Sequence, residues 1–160
     1  MITNYLSPVG FVVSIQRLPN VEFFTQRAAI PGVTITPAPQ ASPIHQLYAV
    51  GDRLEYQELD MNFIVDESMN NYNEILAWME GIGTPEKSTQ FRDLEKGDGT
   101  TSDIRILISN SNKNPNIEFT FFDCFPTSLS PVSLDVTGTD VIYPECSVTF
   151  RYTRFEYRKM

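Results

Sequence analysis

Catalysis or metal binding in this chain would have to be carried by its carboxylates, its one histidine and its two cysteines. Their spacing decides whether any of them can act together. His45 is the one histidine, yet the sequence pairs no Ser or Cys with it as a nucleophile. It reads as an ordinary polar residue. Asp66 and Glu67 form the best carboxylate pair, but adjacent residues at a helix start do not face each other across a substrate. Helix capping and the helix dipole account for them. Asp93, Glu95, Asp98 and Asp103 lack the ligand spacing of a calcium loop. Cys124 and Cys146 lie in separate strand-like runs without CxxC spacing, which predicts buried free thiols. No HExxH, GxSxG, P-loop or GxGxxG occurs. The expectation is a protein with no catalytic residue, no metal and no cofactor, and not an enzyme.

The chain that would carry such groups has 160 residues, 41% hydrophobic and 20% charged, enough for one domain with a real core spanning 1–160. No apolar run approaches the roughly 18 residues of a membrane span, so no membrane insertion is expected. MITNYLSPVGFVVSIQRL has no basic segment ahead of its apolar part, so no signal peptide is expected and a soluble intracellular protein is the default. A net charge of −8 argues against a sequence-independent nucleic-acid binder, which needs clustered bases. Two readings of the acidity remain open: solubility, or repulsion of nucleic acid that must pass without sticking.

The periodicity predicts mostly strands. Residues 9–16 place Phe11, Val13 and Ile15 on one face, a buried strand. Pro19-Asn20 predicts a turn, and VEFFTQRA a second strand completing a hairpin. Residues 31–51 hold several prolines and show no sustained period, which predicts a long loop. It keeps Val33, Ile35, Pro37, Pro39, Pro43, Ile44, Leu47 and Tyr48, too apolar for a solvated linker, and packs either on its own domain or on a neighbour. Residues 54–65 predict a long strand with Leu59, Met61, Phe63 and Val65 on one face and Glu58, Asp60 and Asn62 on the other. Leu54 and Tyr56 are out of phase with it, so a bulge or change of face is expected near Glu58.

Residues 66–80, DESMNNYNEILAWME, are the one stretch with helical periodicity. Asp66 or Ser68 is expected to cap the helix. Met69, Tyr72, Ile75, Leu76 and Met79, continued by Ile82 and widened by Trp78, form an apolar packing face, leaving Glu74 on a solvent or partner side. Gly81 and Gly83, followed by Pro85, end it. Residues 84–103 predict an exposed loop. Strands follow at 103–109, 116–125 and 145–157, with short extended pieces between Pro126 and Pro144. In the last strand Ser147, Thr149 and Arg151 share a polar face, and Phe155 and Tyr157 shift phase, implying a change of partner. The fold class is therefore mainly β: a β-sandwich or open barrel with one α-helix packed on the outside.

Strands that change face and a long apolar segment without converging site residues are the pattern of an assembly protein. The order of features resembles a known family. A Pro-Gly-led apolar segment ends in Ala49-Val50-Gly51-Asp52-Arg53, and a strand ends in Val65-Asp66-Glu67. A helix with Tyr72, Leu76 and Trp78 follows, then a closing strand of alternating Phe and Tyr. This looks like the tail tube protein family of contractile-tailed bacteriophages, over most of the chain. The resemblance implies stacked hexameric rings whose strands join neighbours into one barrel, inside a contractile sheath. It implies an acidic lumen through which DNA slides without specific binding, with Glu58, Asp60, Asn62, Ser147, Thr149 and Arg151 as lumen-facing candidates. Arg151 departs from a purely acidic lining. It also implies that 31–51 contacts the adjacent ring, that sheath and baseplate proteins are partners, and that the protein is assembled in the host cytoplasm into the virion tail. A baseplate tube-initiator and a type VI secretion ring protein share this fold and remain alternatives; a β-rich enzyme or ligand-binding module is the third class.

Overall fold

A computed structural model describes residues 5–6, 8–85, 89, 91–92, 99–137 and 142–160. Among the described residues the elements begin with β1 (Phe11–Ile15), α1 (Pro19–Phe24), β2 (Thr25–Ala28), β3 (Val33–Ile35), β4 (Ala38–Gln40) and β5 (Leu47–Ala49). They continue with β6 (Leu54–Tyr56), β7 (Leu59–Ile64), α2 (Asn70–Gly83), β8 (Ser102–Ser109), β9 (Pro115–Leu129), β10 (Glu145–Arg151) and β11 (Arg154–Lys159). The main sheet has the order β1-β8-β9-β10-β7-β2, with β11 also paired to β9. All of its ladders are antiparallel.

Period-two alternation builds the core. β7 buries Leu59, Met61 and Phe63; β8 buries Ile104, Ile106 and Ile108; β10 buries Cys146, Val148 and Phe150. β9 divides the sheet into two halves. Its first part pairs with β8 and β11, and its last residues, Phe125 to Leu129, pair with β10. Between them Asp123 takes a left-handed φ of 55° and gives its N–H to Asp103 Oδ1 at 3.2 Å. One extra β9 residue opposes β8 there, a bulge that turns the strand from one half to the other. The two halves thus face each other across the core. Trp78 of α2 closes one side, its ring 6.1 Å from that of Phe150 and its indole N–H donated to the Thr100 carbonyl.

Several local expectations change. Residues 21–28 are not the second strand of a hairpin with 9–16: Pro19–Phe24 is helical, only Thr25–Ala28 is extended, and β1 pairs with β8. Pro19 suits a first helical turn, and Leu18 and Val21, three apart, are both buried, so a single turn of helix buries what an extended strand would have split. The predicted strand 54–65 does break near Glu58, into β6 and β7, which have different partners. The closing strand likewise breaks after Arg151, and its second part moves from β10's neighbours to the first half of β9. The predicted strand 116–125 extends to Leu129, absorbing the first of the pieces expected after Pro126.

Neither Asp66 nor Ser68 caps α2. The cap position is Met69, in a left-handed conformation and without a side-chain cap bond. The junction is held instead by Asn71, fully buried. Its Oδ1 accepts from the N–H groups of Asp66 and Tyr72, and its Nδ2 donates to the Ile64 carbonyl at 2.8 Å. Of the predicted packing face, Ile75 and Trp78 are fully buried, Tyr72, Leu76 and Met79 half-buried, and Met69 exposed. Glu74 turns inward toward α1, where the Asn20 amide donates to its Oε1. Of the expected exposed loop 84–103, residues 89, 91 and 92 are helical and exposed, and the strand β8 begins within it at Ser102. Residues 86–88, 90 and 93–98 lie outside the described residues, and with them three of the four carboxylates at 93–103.

Candidate functional site: an assembly arm and a polar sheet face

Residues 31–51 are not an irregular loop. β3 pairs with β6 (Val33↔Tyr56, Ile35↔Leu54), and β4 pairs with β5 (Ala38↔Ala49, Gln40↔Leu47). Together they make a two-stranded arm that prolongs the β2–β7 ladder. The Ala29 N–H reaches Asp60 and the Gln57 N–H reaches Gly32, joining arm to sheet. Short strands interrupted by bends hide period two from a sequence reading. Prolines fit because both strands of a ribbon are edges; Pro39 sits opposite Tyr48. The bend lies where Gly51 crosses Thr36. A Cβ at Gly51 would come 1.9 Å from the Thr36 carbonyl oxygen, so no other residue fits that crossing.

The arm exposes its apolar residues. Ile44 is 82% exposed, Tyr48 63% and Val50 92%, and Val33, Ile35, Leu47 and Leu54 are exposed as well. Pro37, Pro39, Pro43 and His45 are also exposed. The arm's base is fixed by Tyr56, whose ring lies 5.9 Å from Tyr152 and 5.5 Å from Phe155.

The six polar residues picked out on the two long strands all come together. The β7–β10 register places Asn62 opposite Ser147 and Asp60 opposite Thr149, on one face of that sheet half. Thr149 donates to Asp60 at 2.8 Å, and Arg151 Nε binds Glu58 Oε1 at 2.8 Å. Arg27, missed by the sequence reading, joins them because it lies opposite Asn62 on β2. Glu58 and Asp60 therefore share this face with Arg151, which pairs with Glu58, and with Arg27, so the face is of mixed charge rather than purely acidic. Arg151 belongs to it as the partner of Glu58.

At the far end of the same sheet half, an apolar groove of about 610 Å³ opens between the end of β7, the end of α1 and the segment leading into β10. Phe24, Ile64, Val65, Met69, Val132 and Tyr143 line it, and Asp66 and Glu67 are the charged residues at its edge.

Behind the arm's base, the Tyr152 hydroxyl is buried with no hydrogen-bond partner among the described residues. Burial, then the neighbouring Tyr56, push its phenol up from 10.0 to about 12. Burial likewise pushes the Cys124 thiol up from 9.0 to about 12, and Cys146 is also raised. Both cysteines are free and buried, as expected. Tyr and Cys are neutral when protonated, and their folded values lie above their unfolded ones. Their contribution is therefore complete below about pH 9 and lost as pH rises toward 12. Thermal melts should fall across that window. Tyr152→Phe, which removes the unpaired hydroxyl, should raise stability by up to about 1 kcal/mol and reduce the alkaline loss. A destabilised Tyr152→Phe would show that the hydroxyl is bonded after all.

Comparison with known proteins places the chain as a whole. The sequence model of the family described as phage tail tube protein matches residues 2–158. The tail tube terminator protein of Enterobacteria phage T4 is 26% identical over 164 residues, covering 99% of this chain and 92% of that protein. Among solved structures, the tube-terminating cap of the anti-feeding prophage superposes with a TM-score of 0.67 at 15% identity, covering 100% of this chain and 95% of the other. A chain of the anti-feeding prophage baseplate gives 0.64 at 16% identity, covering 99% and 97%. The T4 relative and the members of the family are structural proteins, so an enzyme is not what this fold serves here. With its family model spanning nearly every residue, the chain belongs to the phage tail tube protein family.

Proposed function

We propose that this chain is a ring-forming structural component of a contractile tail tube. Six copies close into a ring, rings stack into a hollow conduit for DNA ejection, and sheath and baseplate proteins surround it in the virion tail. The observation that carries this reading is the arm: a ribbon of exposed apolar residues marks a surface for other chains to cover. On this reading Glu58, Asp60, Asn62, Ser147, Thr149 and Arg151 face the lumen. Their mutual pairing offers DNA no cluster of free cations to bind. The arm contacts the adjacent ring through Val33, Ile35, Ile44, Leu47 and Tyr48, with Pro37, Pro39 and Pro43 stiffening it.

A second reading places the chain at the end of the tube. The T4 relative is a tail tube terminator and aligns with 99% of this chain. Electron microscopy of the purified protein separates the two. Tubes or stacked six-fold rings support the tube subunit. Single six-fold rings that attach to the ends of separately supplied tubes support the terminator, and single rings that start tubes instead support a baseplate initiator. A stable monomer would overturn them all. Removing residues 37–50, so that the outer ladder is lost as a pair, should leave cooperative unfolding intact and abolish stacking. If the truncated chain stacks like the parent, the arm has another role.

A further inference from the structure

The arm and the apolar groove lie at opposite ends of the same sheet half, and the topology makes this unavoidable. β7 begins beside the arm's base, at Leu59, and ends in the groove, at Ile64 and Val65. β2 runs the other way, from Thr25 next to the groove-lining Phe24 to Ala28, from which the chain enters the arm. A copy therefore cannot place its own arm tip in its own groove, whereas a second copy displaced along the strand direction can. Such a head-to-tail contact joins two different surfaces, and it repeats from copy to copy wherever the rotation between them does not close a ring.

We propose that the groove lined by Ile64, Val65, Met69, Val132 and Tyr143 receives the arm tip of a second copy in the next ring, with Ile44, Leu47 and Tyr48 entering it. This rests on the proposal that rings stack, and it names the receiving surface. Chemistry favours this occupant. The chain carries a net charge of −8, yet residues 36–51 contain no Asp, Glu, Lys or Arg. That stretch can approach an acidic copy, and the groove edge formed by Asp66 and Glu67, without charge repulsion. Ten extended residues from Val33 carry the tip up to roughly 30 Å from the base. The groove's volume of about 610 Å³ suits a few apolar side chains rather than a whole element.

The test uses the full chain. An Ile44→Cys/Met69→Cys double variant, mildly oxidised, should give disulfide-linked multimers beyond six copies, while each single variant gives none; Cys124 and Cys146 are buried and stay out of the reaction. Met69→Asp, at an exposed position outside the helix and in a backbone conformation Asp tolerates, should keep six-fold rings and lose stacks. Stacks that form without the disulfide, or that survive Met69→Asp, overturn the groove as receptor while leaving stacking intact. Wild-type rings that never stack overturn the stacking proposal first, and this contact with it.

Discussion

Phe150→Ala is expected to lower the unfolding free energy by about 3–5 kcal/mol, the range for emptying a buried aromatic site. That is a large part of the roughly 5–15 kcal/mol that holds an ordinary domain together. Phe150 is fully buried on β10, opposite Leu59 of β7 and Pro126 of β9, and its ring stands against Trp78 of α2. Both sheet neighbours and the helix thus meet on one side chain. The register shift on β10 falls between Thr149 and Phe150, so local backbone regularity contributes little to refilling the cavity. Urea unfolding at fixed protein concentration measures the effect, because assembly makes apparent stability depend on concentration. The arm-truncated chain is the right background, since it should not stack. A loss under about 1 kcal/mol would mean that the site collapses around the deletion and that β10 is not the keystone of the core.

Asn71→Ala is expected to cost about 2–4 kcal/mol, from leaving the Ile64 carbonyl and the Asp66 and Tyr72 N–H groups without their partner. The asymmetry of hydrogen bonding is what makes this large. Making such bonds gains little over water, but stranding a buried group costs its full desolvation. Asn71→Asp separates donor from acceptor. It keeps an oxygen for the two N–H groups, loses the donor to Ile64, and sets a carboxylate against that carbonyl. Its stability should therefore fall as pH rises and the new carboxyl ionises, whereas Asn71→Ala should show no such slope. Equal pH profiles for the two variants would sink the assignment of the Nδ2–Ile64 bond. Because Asn71 fixes where α2 leaves β7, and Met69 beside it lines the groove, weakened variants should also stack poorly.

How far the site could be read beforehand follows from which interactions encode it. The six polar residues along β7 and β10 and at Glu58, just ahead of β7, were legible because alternation along a strand depends only on neighbours in the chain. Arg27 was not, because its strand is four residues long and its place beside Asn62 comes from pairing rather than pattern. Asn71 was missed for a related reason. Capping rules look for a side chain ahead of the first turn, and this one acts from inside it, reaching back to Ile64 across seven residues. The arm was read as a loop because three-residue strands between bends are too short to show a period, although its apolar content already marked it as a surface to be covered.

The sequence by itself determined the mainly β character of the chain, the buried sides of β7, β8 and β10, the existence of one long amphipathic helix, and the absence of a recognisable catalytic motif. Each depends on residue type and on spacing within a few positions. Only the tertiary structure decided that β1 lies beside β8 rather than β2, and that β9 serves two sheet halves through a left-handed Asp123. It alone put the arm and the apolar groove at opposite ends of one ladder. Those outcomes are set by contacts between residues far apart in the chain, where the free energy of pairing one strand edge with another depends on every layer packed behind it.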